Sequence, residues 1–169
     1  MKRFFAVLFF AVLISATATD FQVYFSPKGG CTEAVVSQLV KAKATVLVQA
    51  YSFTSAPIAK ALVDAEKRGV KVQVILDKSQ RREKHTEADF LLHASIPTFI
   101  DAQHEIAHNK VMVIDSSTVI TGSFNFTKAA EIDNAENLLV IEDAALAKKY
   151  VDNWLKHLAH SEKYQGKQN

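Results

Sequence analysis

The sequence predicts a single α/β domain in which a mixed, largely parallel β-sheet carries helices on both faces. Three observations predict it. Short runs rich in Val, Ile and Leu, among them Thr45 to Ala50 and Val70 to Asp77, alternate with segments whose apolar residues recur at helical spacing. Two strand-helix-strand units follow one another, which implies right-handed crossovers and parallel pairing. The length is that of one ordinary domain with a real core.

The N-terminus is read apart from that domain. Lys2 and Arg3 precede eleven uninterrupted apolar residues, Phe4 to Ile14, and then the small residues Ser15 to Ala18. This is the layout of a secretory signal peptide with a cleavage site after Ala18, and the apolar run falls short of the roughly 20 residues that span a bilayer. The expected organisation is therefore a cleaved leader, residues 1–18, and one domain, residues 19–169, in the periplasm or outside the cell. The leader holds two of the 20 Lys and Arg and none of the 18 Asp and Glu, so the mature chain has 18 of each and no net charge. Binding to a polyanion then relies on local patches. Cys31 is the only cysteine, which excludes an intrachain disulfide and suits a small buried side chain after Gly29-Gly30.

Phe21 to Phe25 alternates as a strand does and ends in the turn Ser26 to Gly30. A helix follows, with Thr32 as its expected cap and Ala34, Val35, Leu39 and Val40 on one face. The strand from Thr45 is expected to continue through Tyr51-Ser52-Phe53-Thr54. Ala56-Pro57 opens a second helix, and Gly69 closes it. After the strand to Asp77, Lys78 to His85 holds four cations and one carboxylate; Lys78, Arg81, Arg82 and Lys84 are candidate contacts to a phosphodiester backbone, or a solvated loop. A short helix over Ala88 to Ala94, strands at Pro97 to Asp101, Thr118 to Thr121 and Leu138 to Ile141, and a final helix from Ala144 to His160 complete the domain. Trp154 belongs to the core, and the polar tail from Ser161 is expected to fray.

The stretch from His108 to Asn125 concentrates the chemistry. Val111 to Ile114 is a buried-strand run, and residues two apart on a strand share a face. His108 and Lys110 therefore point together, whereas Asp115 has the opposite parity and is expected to make a structural contact. Ser123 and Asn125 repeat the two-residue relation. An imidazole, a cation, a hydroxyl and an amide converging on one place suit an anionic oxygen cluster such as a phosphate.

His104-Glu105-Ile106-Ala107-His108 also matches the H-E-x-x-H pattern of zinc peptidases, which has meaning only on a helix. The neighbouring β-branched run and Pro97 argue against one, so a zinc peptidase is an alternative of another class and no metal is expected. His85, His93, His157 and His160 show no recurring partner in the sequence.

The pattern His108-x-Lys110-x4-Asp115-x6-Gly122-Ser123-x-Asn125 resembles the signature of the phospholipase D superfamily. Gly122 to Glu131 and Tyr51 to Thr54 are especially similar to small bacterial periplasmic endonucleases of that superfamily with one motif per chain. The resemblance runs from about Phe21 to the final helix. It implies phosphodiester hydrolysis through a phosphohistidine, with no cofactor, in a site shared by a homodimer. His108 would be the nucleophile, its symmetry mate the general acid, Lys110, Ser123 and Asn125 the groups holding phosphate oxygens, and Glu136 the carboxylate orienting the histidine. The implied substrate is DNA, with RNA left open and little sequence preference. A lipid phosphodiesterase of the phospholipase D or cardiolipin type is the alternative within the same chemistry. No amphipathic membrane helix is evident after residue 20, which argues against stable membrane association.

Overall fold

The computed structural model describes residues 20–167; the leader expected over residues 1–18 lies outside them. In chain order the elements are β1 (Asp20–Ser26), α1 (Cys31–Lys41), β2 (Thr45–Ala50), α2 (Ala56–Lys67), β3 (Lys71–Asp77), a 3-10 turn (Lys78–Arg81), α3 (Ala88–His93), β4 (Thr98–Asp101), β5 (Lys110–Ile114), β6 (Thr118–Gly122), α4 (Lys128–Ile132), β7 (Glu136–Glu142), α5 (Ala144–His160) and β8 (Glu162–Lys163). The strands form one sheet in the order β1-β7-β6-β5-β2-β3-β4-β8.

The sheet is mixed, but the expectation that it is largely parallel needs correction. Parallel pairing is confined to β2, β3 and β4, which the two helical crossovers return in the same direction. The other neighbours are antiparallel. Between β5 and β6 the reason is local: a turn at Asp115 and Ser116, both at positive φ (52° and 53°), reverses the chain within three residues.

Strand periodicity sorts β5 between two layers. Met112 and Ile114 join the main core beneath α1 and α2, whereas Val111 and Val113 meet Val119 and Ala147 beneath α5. Trp154 anchors α5: it is buried, and its indole N–H donates to the Val48 carbonyl at 2.9 Å. α2 begins with Pro57 in its first turn and is closed by Gly69 at φ +93°.

Three local expectations are also corrected. Thr32 does not cap α1; the helix starts at Cys31 after Gly30 in the left-handed conformation, and the Glu131 carboxylate accepts from the amides of Gly30 (3.2 Å) and Thr32 (2.7 Å) instead. β2 stops at Ala50, and Phe53 makes only an isolated bridge to Phe126. The tail does not fray at Ser161. β8 pairs with β4, and buried Tyr164 donates from its hydroxyl to Asp89 at 2.8 Å. Cys31 is buried, and burial together with the nearby Glu131 and Glu33 pushes its thiol up to about 11, so it is inert packing at neutral pH.

Candidate active site

Register places one edge of the sheet under the candidate residues. Lys110, the first residue of β5, is paired with Ala50, the last full position of β2. Gly122, the end of β6, is paired with Leu138 near the start of β7, and Glu136 with Ser26 at the end of β1. Strand ends from across the sheet therefore meet along that edge, with β3 and β4 ending there too.

His108 lies in the coil just before β5 and is exposed, whereas Lys110 is buried. The Lys110 ammonium donates to the His108 carbonyl at 2.7 Å, which ties the two together. Tyr51 serves both: its ring centroid is 4.6 Å from that of His108 and 5.1 Å from Lys110 Nζ. The Tyr51 amide donates to the Asn109 carbonyl at 2.8 Å, so the ring is fixed by backbone pairing. Burial pushes the Lys110 pKa down, and the Glu136 charge acts in the opposite direction. Glu136 accepts from Asn134 Nδ2 at 3.1 Å.

Gly122 to Asn125 forms a tight bend against β7. A Cβ at Gly122 would stand 2.2 Å from the Asn137 carbonyl oxygen, so only glycine allows the approach. The amides of Ser123 and Phe124 both donate to that oxygen, at 3.1 and 3.2 Å, and Ser123 Oγ accepts from the Asn137 amide at 3.1 Å. Phe124 and Phe126 are fully buried on either side of Asn125 and hold it in place. The buried Oδ1 of Asn125 has no hydrogen-bond partner among the described residues. An unpaired buried carbonyl oxygen costs about 1–3 kcal/mol; as an acceptor it can be completed only by a donor, so it is the Nδ2 group of the same amide that is suited to an anionic oxygen.

Asp115 is elsewhere, at the opposite end of β5. Its Oδ1 accepts from the amides of Ala44 (2.8 Å) and Thr45 (3.0 Å), and its Oδ2 from that of Lys43 (2.9 Å). Of the cationic loop, Arg81 is ion-paired with Glu162, and Lys78, Arg82 and Lys84 are exposed beside the end of β3. One cleft surrounds Asp115 and Lys43 and others run along α2.

The segment from Ala102 to Asn109 contains no helix, so the H-E-x-x-H geometry does not form. His157 and His160, which show no recurring partner in the sequence, find one in the fold: with His104 they converge on Asp101. No single window of sequence contains that group, which joins the end of β4 to the last turns of α5. The placement of Tyr51 against His108 and Lys110 likewise depends on β2 and β5 being neighbours.

Residues 35–158 match the family described as cardiolipin synthase, PLD-like domain. The phospholipase D of Rickettsia conorii is 47% identical over 135 residues, covering 80% of this chain and 68% of that protein. The mitochondrial cardiolipin hydrolase of Xenopus laevis is 31% identical over 113 residues, covering 67% of this chain and 54% of that protein. Among solved structures, Nuc from Salmonella typhimurium, a phospholipase D family member, superposes with a TM-score of 0.84 at 38% identity, covering 88% of this chain and 100% of that one. NucT from Helicobacter pylori gives 0.79 at 25% identity, covering 87% and 100%.

Proposed function

The chain belongs to the phospholipase D superfamily of phosphodiesterases, and from that premise we propose that it is a metal-independent nuclease hydrolysing DNA, and RNA by the same chemistry, in a site shared by two copies. The observation that carries the reading is the convergence of His108 and Lys110 on Tyr51, on the strand-end edge that also carries Glu136.

In this scheme an imidazole nitrogen of His108 attacks phosphorus. A phosphorus-nitrogen bond forms as the bond to the leaving oxygen breaks, and His108 of the second copy gives that oxygen a proton. The second imidazole then removes a proton from water, which attacks phosphorus and releases His108. Lys110, Ser123 and Asn125 hold the non-bridging oxygens while charge builds on them, and Glu136 positions the ring of a facing histidine. Backbone contacts by Lys78, Arg82 and Lys84 carry little base information, so cleavage has weak sequence preference.

Two features support a second copy. His108 is exposed, and catalysis at such a group gains from exclusion of water. Edge strand β1 also presents Phe21, Val23 and Phe25, 62%, 41% and 66% exposed, with Phe25 paired to Asn137 beside Glu136. An apolar edge of this kind is ordinarily covered. The leader over residues 1–18 would export the protein, and N-terminal sequencing of secreted material beginning near Thr19 would bear that out.

A lipid phosphodiester is the second reading. The names of the Rickettsia and Xenopus relatives favour it, and the Phe21, Val23 and Phe25 strip could meet a lipid surface. Among the described residues no helix is long and apolar enough to cross a membrane. The deciding experiment is a parallel assay, with chelator present, on supercoiled plasmid and on vesicles of phosphatidylcholine with cardiolipin. Plasmid nicking that His108→Ala abolishes supports the nuclease; headgroup release with intact plasmid replaces it by the lipase. Full activity in a monomer by analytical ultracentrifugation would overturn the shared site.

A further inference from the structure

Asp101, at the end of β4, is fully buried and collects more imidazoles than a carboxylate needs. His157 Nδ1 lies 2.7 Å from its Oδ2, His104 Nδ1 3.0 Å and His160 Nε2 3.3 Å. The ring centroids of the three histidines are 4.9, 5.2 and 5.4 Å apart. One potential ligand atom from each of the four residues lies within 4.8 Å of all the others. The side chains of His157, His160 and His104 are 15%, 27% and 44% exposed, so the cluster opens to solvent on one side and an ion has a way in.

Three imidazoles aimed at one oxygen are poorly explained as hydrogen bonding alone. If all are protonated they repel one another, and if all are neutral each must spend its single N–H inward. A cation at their centre removes the conflict, because each ring then turns a lone pair inward and its N–H outward. Tetrahedral coordination at about 2.0–2.2 Å separates ligand atoms by roughly 3.3–3.6 Å, so binding asks the Asp101 oxygen to draw back from His157 and His104 while the wider ligand separations, up to 4.8 Å, close. Three nitrogens and one carboxylate oxygen suit zinc or cobalt and are foreign to calcium and magnesium. Four protein ligands leave no open position, which is the pattern of structural sites.

We propose that Asp101, His104, His157 and His160 form a structural zinc-type site that braces the segment carrying His108. The placement of the ligands says what it would brace. His104 lies in the connection from β4 to β5, four residues before His108, while His157 and His160 belong to α5. The far end of the connection is already held, since the Ala107 amide donates to Asp77 at 2.8 Å and Asp77 is paired with Asp101 on the neighbouring strand. The ion would fasten the near end to α5 without joining the chemistry at His108.

The full chain, stripped with chelator and dialysed, is titrated with Zn²⁺ by calorimetry and with Co²⁺ by visible absorption. The expected result is one ion per chain, tetrahedral Co²⁺ bands, and a Tm raised by about 5 °C or more at excess zinc. His157→Ala and His160→Ala should each weaken binding by about 100-fold or more. His108→Ala should bind as the parent does. Absence of stoichiometric binding, or binding untouched by His157→Ala and His160→Ala, overturns the site and leaves a hydrogen-bonded cluster. Binding lost in His108→Ala would move the ion to the H-E-x-x-H pair and equally overturn it. Plasmid nicking by the stripped protein at low temperature reads the nuclease proposal separately, since it does not depend on whether zinc binds.

Discussion

One signature spans β5 from His108 to Asp115, and its two ends sit roughly 20 Å apart at strand rise, in opposite chemical conditions. At the His108 end a buried amine has a carbonyl and an aromatic ring against it and no carboxylate in hydrogen-bond contact among the described residues, and the buried Oδ1 of Asn125 has no partner there. At the Asp115 end both carboxylate oxygens are taken by backbone amides, and the Asp115 amide itself donates to the Thr45 carbonyl at 2.9 Å. The comparison teaches that saturation of polar groups, rather than membership of a motif, separates scaffold from chemistry. A group whose valences are full has nothing left to offer a substrate.

The difference can be broken at either end. His108→Ala should lower turnover by on the order of 10⁴-fold or more while Tm stays unchanged; single-turnover kinetics beside calorimetry would check it. Tyr51→Ala, which removes the surface under both His108 and Lys110, should cost about 10- to 100-fold in kcat with little change in KM. Tyr51→Phe keeps the ring and should restore most of it. At the far end, Asp115→Ala should lower stability by about 2 kcal/mol through three stranded amides and leave kcat of the folded protein as it was. An inactive but stable Asp115→Ala protein would erase the contrast.

Two pH profiles sharpen it further. Burial alone would raise the Asp115 pKa, but the amides of Thr45, Ala44 and Lys43 outweigh it and hold the carboxyl below its ordinary 3.8. A depressed carboxylate contributes stability that is present above that value and is lost as pH falls through the folded-state pKa. Acid unfolding below about pH 4 should therefore be less steep in Asp115→Asn. At the other end, the lowered Lys110 pKa predicts loss of activity on the alkaline side below the ordinary lysine value of 10.5. Glu136→Gln removes the one opposing charge and should move that limb lower still, a small effect readable in the pH-rate profile.

Much of this was legible in the sequence where the physics is local. The β-branched run over Val111 to Ile114 marked the strand, and the two-residue relation placed His108 with Lys110. The start of β2 and both boundaries of α5 followed from period alone. What was not legible depends on residues distant in the chain. Thr32 has the chemistry of a cap, but Glu131 arrives from the other end of the domain and takes its place. β8 is two residues long and has no pattern; it exists because β4 offers it an edge and Tyr164 a buried seat. The antiparallel half of the sheet was hidden for the same reason, since strand direction is decided by neighbours. The histidines around Asp101 come from segments more than fifty residues apart.

The reactive groups all ride on strand termini and the links between them, while the helices contribute walls. The outer faces of α1, α2 and α5 are thus free to drift, and the link at Lys78 to Lys84 can be rewritten, while Gly122 and the β5 pairing keep the strand-end residues in register. Such a layout is evolvable: substrate choice can change by loop exchange within a lineage while the bond-breaking step is inherited intact.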